Sequence, residues 1–333
     1  MMPRKRLCEV VKKKTYILEH QQIGIGMTVQ LLPSLLHLKN LGANFFIKLN
    51  PDHVSIAKHF IDEDKIYPYK KIPADQNLWI SDPVFGMNER HHEVLNTSMP
   101  GDGPYACHAV DFYFRRLHVD MFDQAIPMKL KNYPKFPSDM IDISKFNLPE
   151  KFVVISPTTT KEACIINRDE QLKINNYVRN AGYPIVHIGA KYDLMLDKGI
   201  DASRKVTLTS SDFKNDINLI NKTSLPEAIA IMNKAKCFIG PEGGLMNMCG
   251  MTDTPMIIPF ANMSPKTRMP YRHDELGWEV YPVIPDVECK FCVSRMTHRS
   301  PDINIMKECL YEDFQCLQEI TFNKFKPYLD RIL

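Results

Sequence analysis

A pattern of strand, loop, helix, glycine and strand occurs twice in this chain, and it constrains the fold more than any other feature. The first copy begins at the apolar run Thr15–Glu19 and passes through a glycine-containing loop, residues 21–28. A helical pattern over 29–40 then ends at Gly42, before the apolar segment 43–49. This order predicts a βαβ unit with parallel strands and a right-handed crossover.

The second copy follows a proline-rich stretch over 127–149, which we interpret as a linker. It consists of a predicted strand over 152–156, a predicted helix over 169–180 and a predicted strand over 184–188. The sequence therefore predicts an α/β protein with two Rossmann-like domains. Such domains bind ligands in the crevice between them, at the carboxyl ends of their strands.

The predicted division is residues 1–147 for the first domain, 148–285 for the second, and 286–333 for a cysteine-rich segment with a final helix.

The overall charge of the chain is nearly balanced, since its 333 residues include 42 Lys and Arg and 39 Asp and Glu. The net charge of +3 gives no global nucleic-acid footprint. No apolar run approaches the roughly 20 residues of a membrane helix. The basic start lacks the apolar core of a signal peptide, so we expect a cytoplasmic protein.

A second glycine turn carries the candidate nucleotide site. The residues Glu242, Gly243, Gly244 and Asn247 lie between a predicted strand, 237–240, and a predicted helix. Glycines let a backbone approach a phosphate, and the amides of a following helix favour an anion. A carboxylate just before them is able to accept both ribose hydroxyls. The alternative is an ordinary tight turn.

The loop after strand 152–156 occupies the equivalent position one unit earlier. Its hydroxyls and its cation suit phosphate oxygens, and the residues concerned are Thr158, Thr159, Thr160 and Lys161. A solvated loop is the alternative. The N-terminal Gly24 and Gly26 lack the third glycine of a dinucleotide fingerprint, which disfavours NAD.

Four of the nine cysteines, Cys289, Cys292, Cys309 and Cys316, lie in the last 50 residues. A Cys-x2-Cys turn with two further thiols is suited to one tetrahedral structural metal, zinc or iron. Such a closed site has no open position for catalysis. The alternative is four reduced thiols that do not meet.

Residues 235–259 resemble the signature of the heptosyltransferase-type glycosyltransferases. In that family the signature consists of a strand, an Asp-Ser/Thr-Gly-x-x-His turn, a small-residue helix, the sequence Gly-Thr-Pro and a second strand. In this comparison Glu242 replaces the ribose-binding Asp and Asn247 replaces the His. The loop ending in Lys161 and the tail 307–320 also resemble that family, the tail in particular its autotransporter branch. The resemblance implies a GT-B fold, a sugar-nucleotide donor (ADP- or UDP-linked), inversion at the anomeric carbon, and a last helix that packs back toward the first domain.

The resemblance places Met27 where the family has its catalytic Asp, and Met27 cannot take a proton. Either the chain is inactive or its base lies elsewhere. We predict Asp111 as the base, followed by Asp102, His108 and Asp82. The alternative for Asp111 is a surface carboxylate paired with an arginine one helical turn later.

The predicted function is inverting transfer of a sugar from a nucleotide-diphosphate sugar to a hydroxyl acceptor. Lipopolysaccharide, a protein and a hydroxymethylated DNA base are the open acceptor classes. The alternatives are a sugar-nucleotide epimerase and a non-catalytic sugar-nucleotide or assembly module, the latter favoured by Met27. A metal-containing tail would also suit a homo-oligomer.

Overall fold

The computed structural model describes residues 15–20, 24–68, 79–80, 108, 110–111, 132–157, 164–190, 210–271, 279–295, 309 and 314–333. Two parallel sheets form two lobes that follow one another along the chain. The predicted α/β architecture with parallel sheets is confirmed. Among the described helices, none has the length and apolar character needed to cross a membrane.

The first lobe contains a four-stranded sheet whose strand order is β3-β2-β1-β4. Its strands are β1 (Thr15–Glu19), β2 (Asn44–Leu49), β3 (Ile66–Pro68) and β4 (Trp79–Ile80). Two helices, α1 (Ile25–Asn40) and α2 (Pro51–Ala57), connect these strands. Asn50 caps α2 by accepting a hydrogen bond from the Asp52 amide, and Pro51 occupies the first helical position, where no amide hydrogen is needed.

Helix α1 begins at Ile25, whereas the sequence predicted a loop up to residue 28. The prediction was wrong because two glycines in five residues normally favour a loop. In the structure this first turn packs against the second lobe, and that contact outweighs the poor helix propensity of glycine.

The second lobe contains a six-stranded sheet in the order β10-β9-β8-β5-β6-β7, all parallel. Its strands are β5 (Val153–Ile155), β6 (Ile185–His187), β7 (Ile217–Asn218), β8 (Phe238–Ile239), β9 (Met256–Pro259) and β10 (Val280–Val283). The helices are α3 (Arg168–Asn180), α4 (Leu225–Lys234), α5 (Gly244–Cys249), α6 (Pro265–Arg268), α7 (Gln315–Gln318) and α8 (Phe322–Ile332). This strand order is that of a doubly wound dinucleotide-binding sheet.

Both faces of the second sheet are covered. Alternate residues of a strand point to opposite faces, so Val154 and Phe238 join one buried cluster, and Ile155 and Ile239 join another. The first cluster also contains first-lobe residues such as Leu32. The two lobes therefore share a continuous apolar core at their contact.

The resemblance implied that the last helix packs back toward the first lobe, and the structure differs. Helix α8 lies against α3 and β10 of the second lobe. Its apolar side chains Phe325, Leu329 and Ile332 fill the cluster behind the second sheet. A hydrogen bond from the amide of Phe322 to the carboxylate of Glu170 fixes the start of the helix there.

Candidate functional site

The second sheet reverses its winding between β5 and β8, so the loops after these two strands open a crevice at its carboxyl edge. Ser156 follows β5 and Gly240 follows β8. A Cβ atom on Gly240 would lie 2.9 Å from the Ser156 Cβ, so only glycine lets the two loops approach this closely. The predicted phosphate ligands Thr158, Thr159, Thr160 and Lys161 lie outside the described residues.

We use the name donor turn for residues 242–247, which leave β8 and form most of α5. Glu242 is buried, with 3% of its surface exposed. The thiol of Cys164 lies 3.8 Å from Glu242 Oε2 and 3.7 Å from Asn262 Oδ1, within reach of either oxygen as a donor. The carboxylate is therefore held inside the carboxyl edge of the sheet, directly before the two glycines.

Asn247 makes three hydrogen bonds at the end of the donor turn. Its Oδ1 accepts from the Tyr133 hydroxyl at 2.6 Å and from Gln30 Nε2 at 3.2 Å. Its Nδ2 donates to the Gly243 carbonyl oxygen at 2.8 Å. This side chain, which stands at the family's His position, connects the donor turn to α1 and to the connection between the sheets.

The N-terminus of α1 contacts the donor turn directly. A Cβ atom on Gly244 would lie 2.7 Å from Ile25 Cγ2. One on Gly26 would lie 2.9 Å from Asn247 Nδ2 and 3.3 Å from the Gly244 Cα. Glycine is required at both positions by this close approach. Two of the predicted donor residues, Gly244 and Asn247, thus lie at the contact between the lobes, and Ile25 covers one side of the turn.

Tyr133, fully buried in the connection between the sheets, lies at the centre of this contact. Burial raises the pKa of its hydroxyl well above the ordinary value. The charge of Arg268 opposes that rise, and the charges of Glu242 and Tyr271 add to it. Because electrostatic effects decline with distance, Arg268, Glu242 and Tyr271 lie in the neighbourhood of this buried hydroxyl.

Two of the predicted catalytic residues reach the same region. The His108 ring stacks on Tyr271 with 3.5 Å between ring centroids, and the Tyr271 hydroxyl lies 3.5 Å from Asp111 Oδ2. Asp111 is 8% exposed, so it is not the surface carboxylate of the alternative reading. Asp102 and Asp82 lie outside the described residues.

The hydrogen bonds of His108 define its tautomer. The amide of Val110 donates to His108 Nδ1 at 3.2 Å, so Nδ1 accepts. His108 Nε2 therefore carries the proton and donates to the carbonyl oxygen of Met269 at 2.7 Å. Both ring nitrogens of His108 are thus engaged by backbone groups, while the face of the ring lies on Tyr271.

Met27 and two histidines occupy the carboxyl edge of the first sheet. Met27 is half-buried and packs against the shared core. Thr28 Oγ1 lies 2.8 Å from His53 Nδ1, and His20 follows β1 directly. Burial, together with the charge of His53, lowers the pKa of His20 to about 3. We did not predict these histidines as site residues, although the position of His20 after a strand was a usable signal.

The cysteine-rich segment crosses the loop after β9. The amide of Phe291 donates to the Ala261 carbonyl at 2.7 Å, and the amide of Val293 donates to the Asn262 carbonyl at 3.0 Å. The segment therefore borders the residues that surround Glu242. It also lines a cavity of about 410 Å³, formed by residues 286–288, 290 and 291.

The four predicted metal ligands are close enough to influence each other electrostatically. Burial raises the pKa of the Cys316 thiol to about 12, and the thiols of Cys289, Cys292 and Cys309 contribute to the rise. In the described parts of the chain, no three His, Cys, Asp or Glu side chains are grouped to hold a metal ion. The thiols thus share one neighbourhood without a ligating arrangement.

The model of the family "Glycosyltransferase family 9 (heptosyltransferase)" matches residues 82–282. A comparison with curated protein sequences finds no match.

Several solved structures share the fold. The dodecameric iron-containing heptosyltransferase TibC in complex with ADP-D-β-D-heptose is 14% identical, with a TM-score of 0.70 over 97% of this chain and 77% of that one. TibC comes from enterotoxigenic E. coli. The E. coli ADP-heptose LPS heptosyltransferase II is 13% identical, with a TM-score of 0.57 over 96% of this chain and 98% of that one. A family 9 glycosyltransferase from Veillonella parvula is 12% identical, with a TM-score of 0.57 over 82% of this chain and 86% of that one.

Proposed function

Because the chain belongs to glycosyltransferase family 9, the heptosyltransferase family, we propose that it moves a sugar with inversion from an ADP-linked donor to a hydroxyl acceptor. That it is a glycosyltransferase using a nucleotide sugar follows from the family itself. We further propose that the donor carries ADP, that transfer inverts the anomeric carbon, that the site residues named above bind the donor, and that the cysteine-rich segment holds a metal. A GT-B neighbour that binds ADP-D-β-D-heptose favours ADP over UDP.

One observation carries the proposal: the donor turn lies at the switch point of the second sheet and at the contact between the lobes. Glu242 would accept the ribose hydroxyls, and the amides after Gly243 would face the diphosphate. Lys161 and the three threonines before it would add positive charge and hydroxyl donors as the diphosphate leaves.

Calorimetric titration with ADP tests this assignment. Replacing Glu242 with Gln removes a charged hydrogen-bond acceptor, which is worth about 1.5–3 kcal/mol, or roughly 10- to 150-fold in Kd. Glu279→Gln is the matched control, because Glu279 is an exposed carboxylate of the same lobe. Equal ADP affinity in Glu242→Gln and in the wild type would reject the ribose assignment.

Asp111 is the proposed base. Its carboxylate would remove the acceptor hydroxyl proton while that oxygen attacks the anomeric carbon. The bond between the anomeric carbon and the diphosphate oxygen breaks in the same step, and the electron pair leaves with the diphosphate. The support for this role is the burial of Asp111 and its approach to Tyr271 at the lobe contact.

Asp111→Asn is expected to lower transfer by at least about 100-fold while ADP affinity stays unchanged. Asp102→Asn, assayed in parallel, decides between the two carboxylates. Loss of transfer in Asp102→Asn alone would move the base to Asp102. A wild-type protein that binds ADP-sugar without transfer or hydrolysis would instead favour the non-catalytic module, and donor turnover without an acceptor would favour the epimerase.

The acceptor class is decided by direct incorporation. A donor labelled in its sugar is offered to lipopolysaccharide core, to a protein fraction and to hydroxymethylated DNA. The near balance of 42 basic and 39 acidic residues disfavours the DNA acceptor, whose binding depends on neutralised phosphates. Incorporation into DNA with a steep salt dependence would overturn this expectation.

A structural metal on Cys289, Cys292, Cys309 and Cys316 is part of the proposal. Four thiolates are a donor set that suits iron or zinc, and the mutual influence on Cys316 supports their proximity. A bound metal would crosslink the segment and add folding stability. TibC, which is iron-containing and dodecameric, suggests iron and a multi-copy assembly here as well.

Elemental analysis of protein purified without chelators tests the metal. Cys316→Ser is expected to lose it, whereas Cys249→Ser, a buried cysteine in α5, is expected to retain it. A metal-free wild-type protein would overturn this part of the proposal. Sedimentation velocity of the same preparations measures the assembly state.

A further inference from the structure

The hydrogen bonds of Asn247 demand an amide at this position. Oδ1 uses both of its lone pairs, one for the Tyr133 hydroxyl and one for Gln30 Nε2. Nδ2 donates to the Gly243 carbonyl. Asn247 is 2% exposed, so water cannot replace a missing partner.

Other residue types fail at one of these contacts. A neutral histidine offers one donor and one acceptor on opposite sides of its ring, so it cannot accept two bonds and donate a third. An aspartate would accept from Tyr133 and Gln30, but it would oppose the Gly243 carbonyl with negative charge. The departure from the family's His is therefore matched to partners that this chain supplies.

Those partners come from different parts of the molecule. Gln30 belongs to α1 in the first lobe, and Tyr133 belongs to the connection between the sheets. The Tyr133 backbone is itself fixed, because its amide donates to the Tyr271 carbonyl oxygen at 2.6 Å. Gly26 of α1 contacts the donor turn beside this cluster. The conformation at Gly243 thus depends on the lobes being in contact.

We propose that Asn247 is a positioning residue, which holds the Gly243 carbonyl only while Tyr133 and Gln30 hold its own Oδ1. The equilibrium between lobes in contact and lobes apart is then coupled to the conformation of the donor turn. When the lobes separate, Asn247 loses the Gln30 donor that α1 supplies, and the constraint on the Gly243 peptide weakens. That peptide carries the amide of Gly244, which faces the proposed diphosphate. The link to donor binding rests on the proposed function.

Tyr133→Phe tests the link by removing one hydroxyl and little else. Hydrogen–deuterium exchange without ligand should show amides of 243–249 exchanging about fivefold faster, because one hydrogen bond is worth about that factor. Tyr183→Phe is the matched control, since its hydroxyl donates to the Leu333 carbonyl oxygen at 3.2 Å, within the second lobe. That variant should leave exchange at 243–249 unchanged.

A second pair of variants keeps the proposal testable if Tyr133→Phe does not fold. Gln30→Met removes the other donor to Asn247, and Gln171→Met removes an equivalent buried bond, Gln171 Nε2 to Asn175 Oδ1, inside α3. Gln30→Met should again accelerate exchange at 243–249, whereas Gln171→Met should do so only within α3. Unchanged exchange at 243–249 in both Tyr133→Phe and Gln30→Met overturns the proposal.

ADP titration separates this inference from the proposed function. Tyr133→Phe should weaken ADP binding and raise the donor KM about fivefold each, with kcat at saturating donor changing less than twofold. Tyr183→Phe should alter neither constant. If the wild type binds no ADP while exchange responds as expected, the proposed function fails and the positioning role of Asn247 stands. If the wild type binds ADP and Tyr133→Phe binds it equally well, the coupling to the donor is refuted.

Discussion

Protonation of His20 should limit the stability of this protein in mild acid. His20 is 1% exposed, and burial with the charge of His53 lowers its pKa from 6.5 to about 3. His20 therefore becomes protonated near pH 6.5 in the unfolded chain but only near pH 3 in the folded chain. Stability is complete above the unfolded value and declines as the pH falls below 6.5.

The magnitude follows from the size of the shift. Each unit of pH between the two pKa values costs about 1.4 kcal/mol, so at pH 5.0 the loss from His20 is about 2 kcal/mol. His187 contributes in the same direction, because burial lowers its pKa despite the opposing effect of Asp216. Wild-type protein should therefore lose at least about 2 kcal/mol between pH 7.5 and 5.0.

Urea unfolding at the two pH values, with the wild type, His20→Leu and His59→Leu, measures the effect. His20→Leu should lose about 2 kcal/mol less than the wild type over this interval, whatever its stability at pH 7.5. His59, half-buried after α2, serves as the control and should keep most of the wild-type dependence. An identical pH dependence in His20→Leu and the wild type would refute the argument.

Three further substitutions and one control substitution probe the second lobe by urea unfolding. Asp216→Asn should cost about 3 kcal/mol, because the Asp216 side chain is 1% exposed and accepts a bidentate pair from Arg179. Asp286→Asn, on an 80% exposed side chain, should leave the urea midpoint nearly unchanged, and equal effects would contradict the reasoning. Ser224→Ala should cost about 1 kcal/mol by removing the capping box of α4, and no loss would mean that the cap is dispensable. Leu329→Ala should cost about 2–5 kcal/mol, since Leu329 is fully buried behind the second sheet, and a smaller loss would argue against that packing of α8.

Most elements of the second lobe were predictable from local patterns. The predicted helix 169–180 is found as Arg168–Asn180, and the predicted strand 184–188 is found as Ile185–His187. These elements are continuous apolar or periodic runs with Gly, Pro or capping residues at their ends. Local propensity and tertiary packing agree there, so the sequence suffices.

Elements whose conformation depends on distant contacts were predicted less well. The start of α1 was misplaced because its glycines serve the approach to Gly244 rather than a loop. The last helix was assigned to the wrong lobe, since an amphipathic pattern states that one face is buried but not against which partner. The role of Asn247 was invisible, because Gln30 is 217 residues away in sequence.

The sequence by itself determined two parallel α/β sheets, their order along the chain, and the glycine turn around Glu242 between a strand and a helix. Apolar periodicity and glycine position encode these features within a few dozen residues. Only the tertiary structure decided that Asn247, Tyr133 and Gln30 meet in one buried cluster, and that Asp111 is inside rather than on the surface. The physical reason is that burial and hydrogen-bond partners arise from chain segments that sequence spacing cannot bring together.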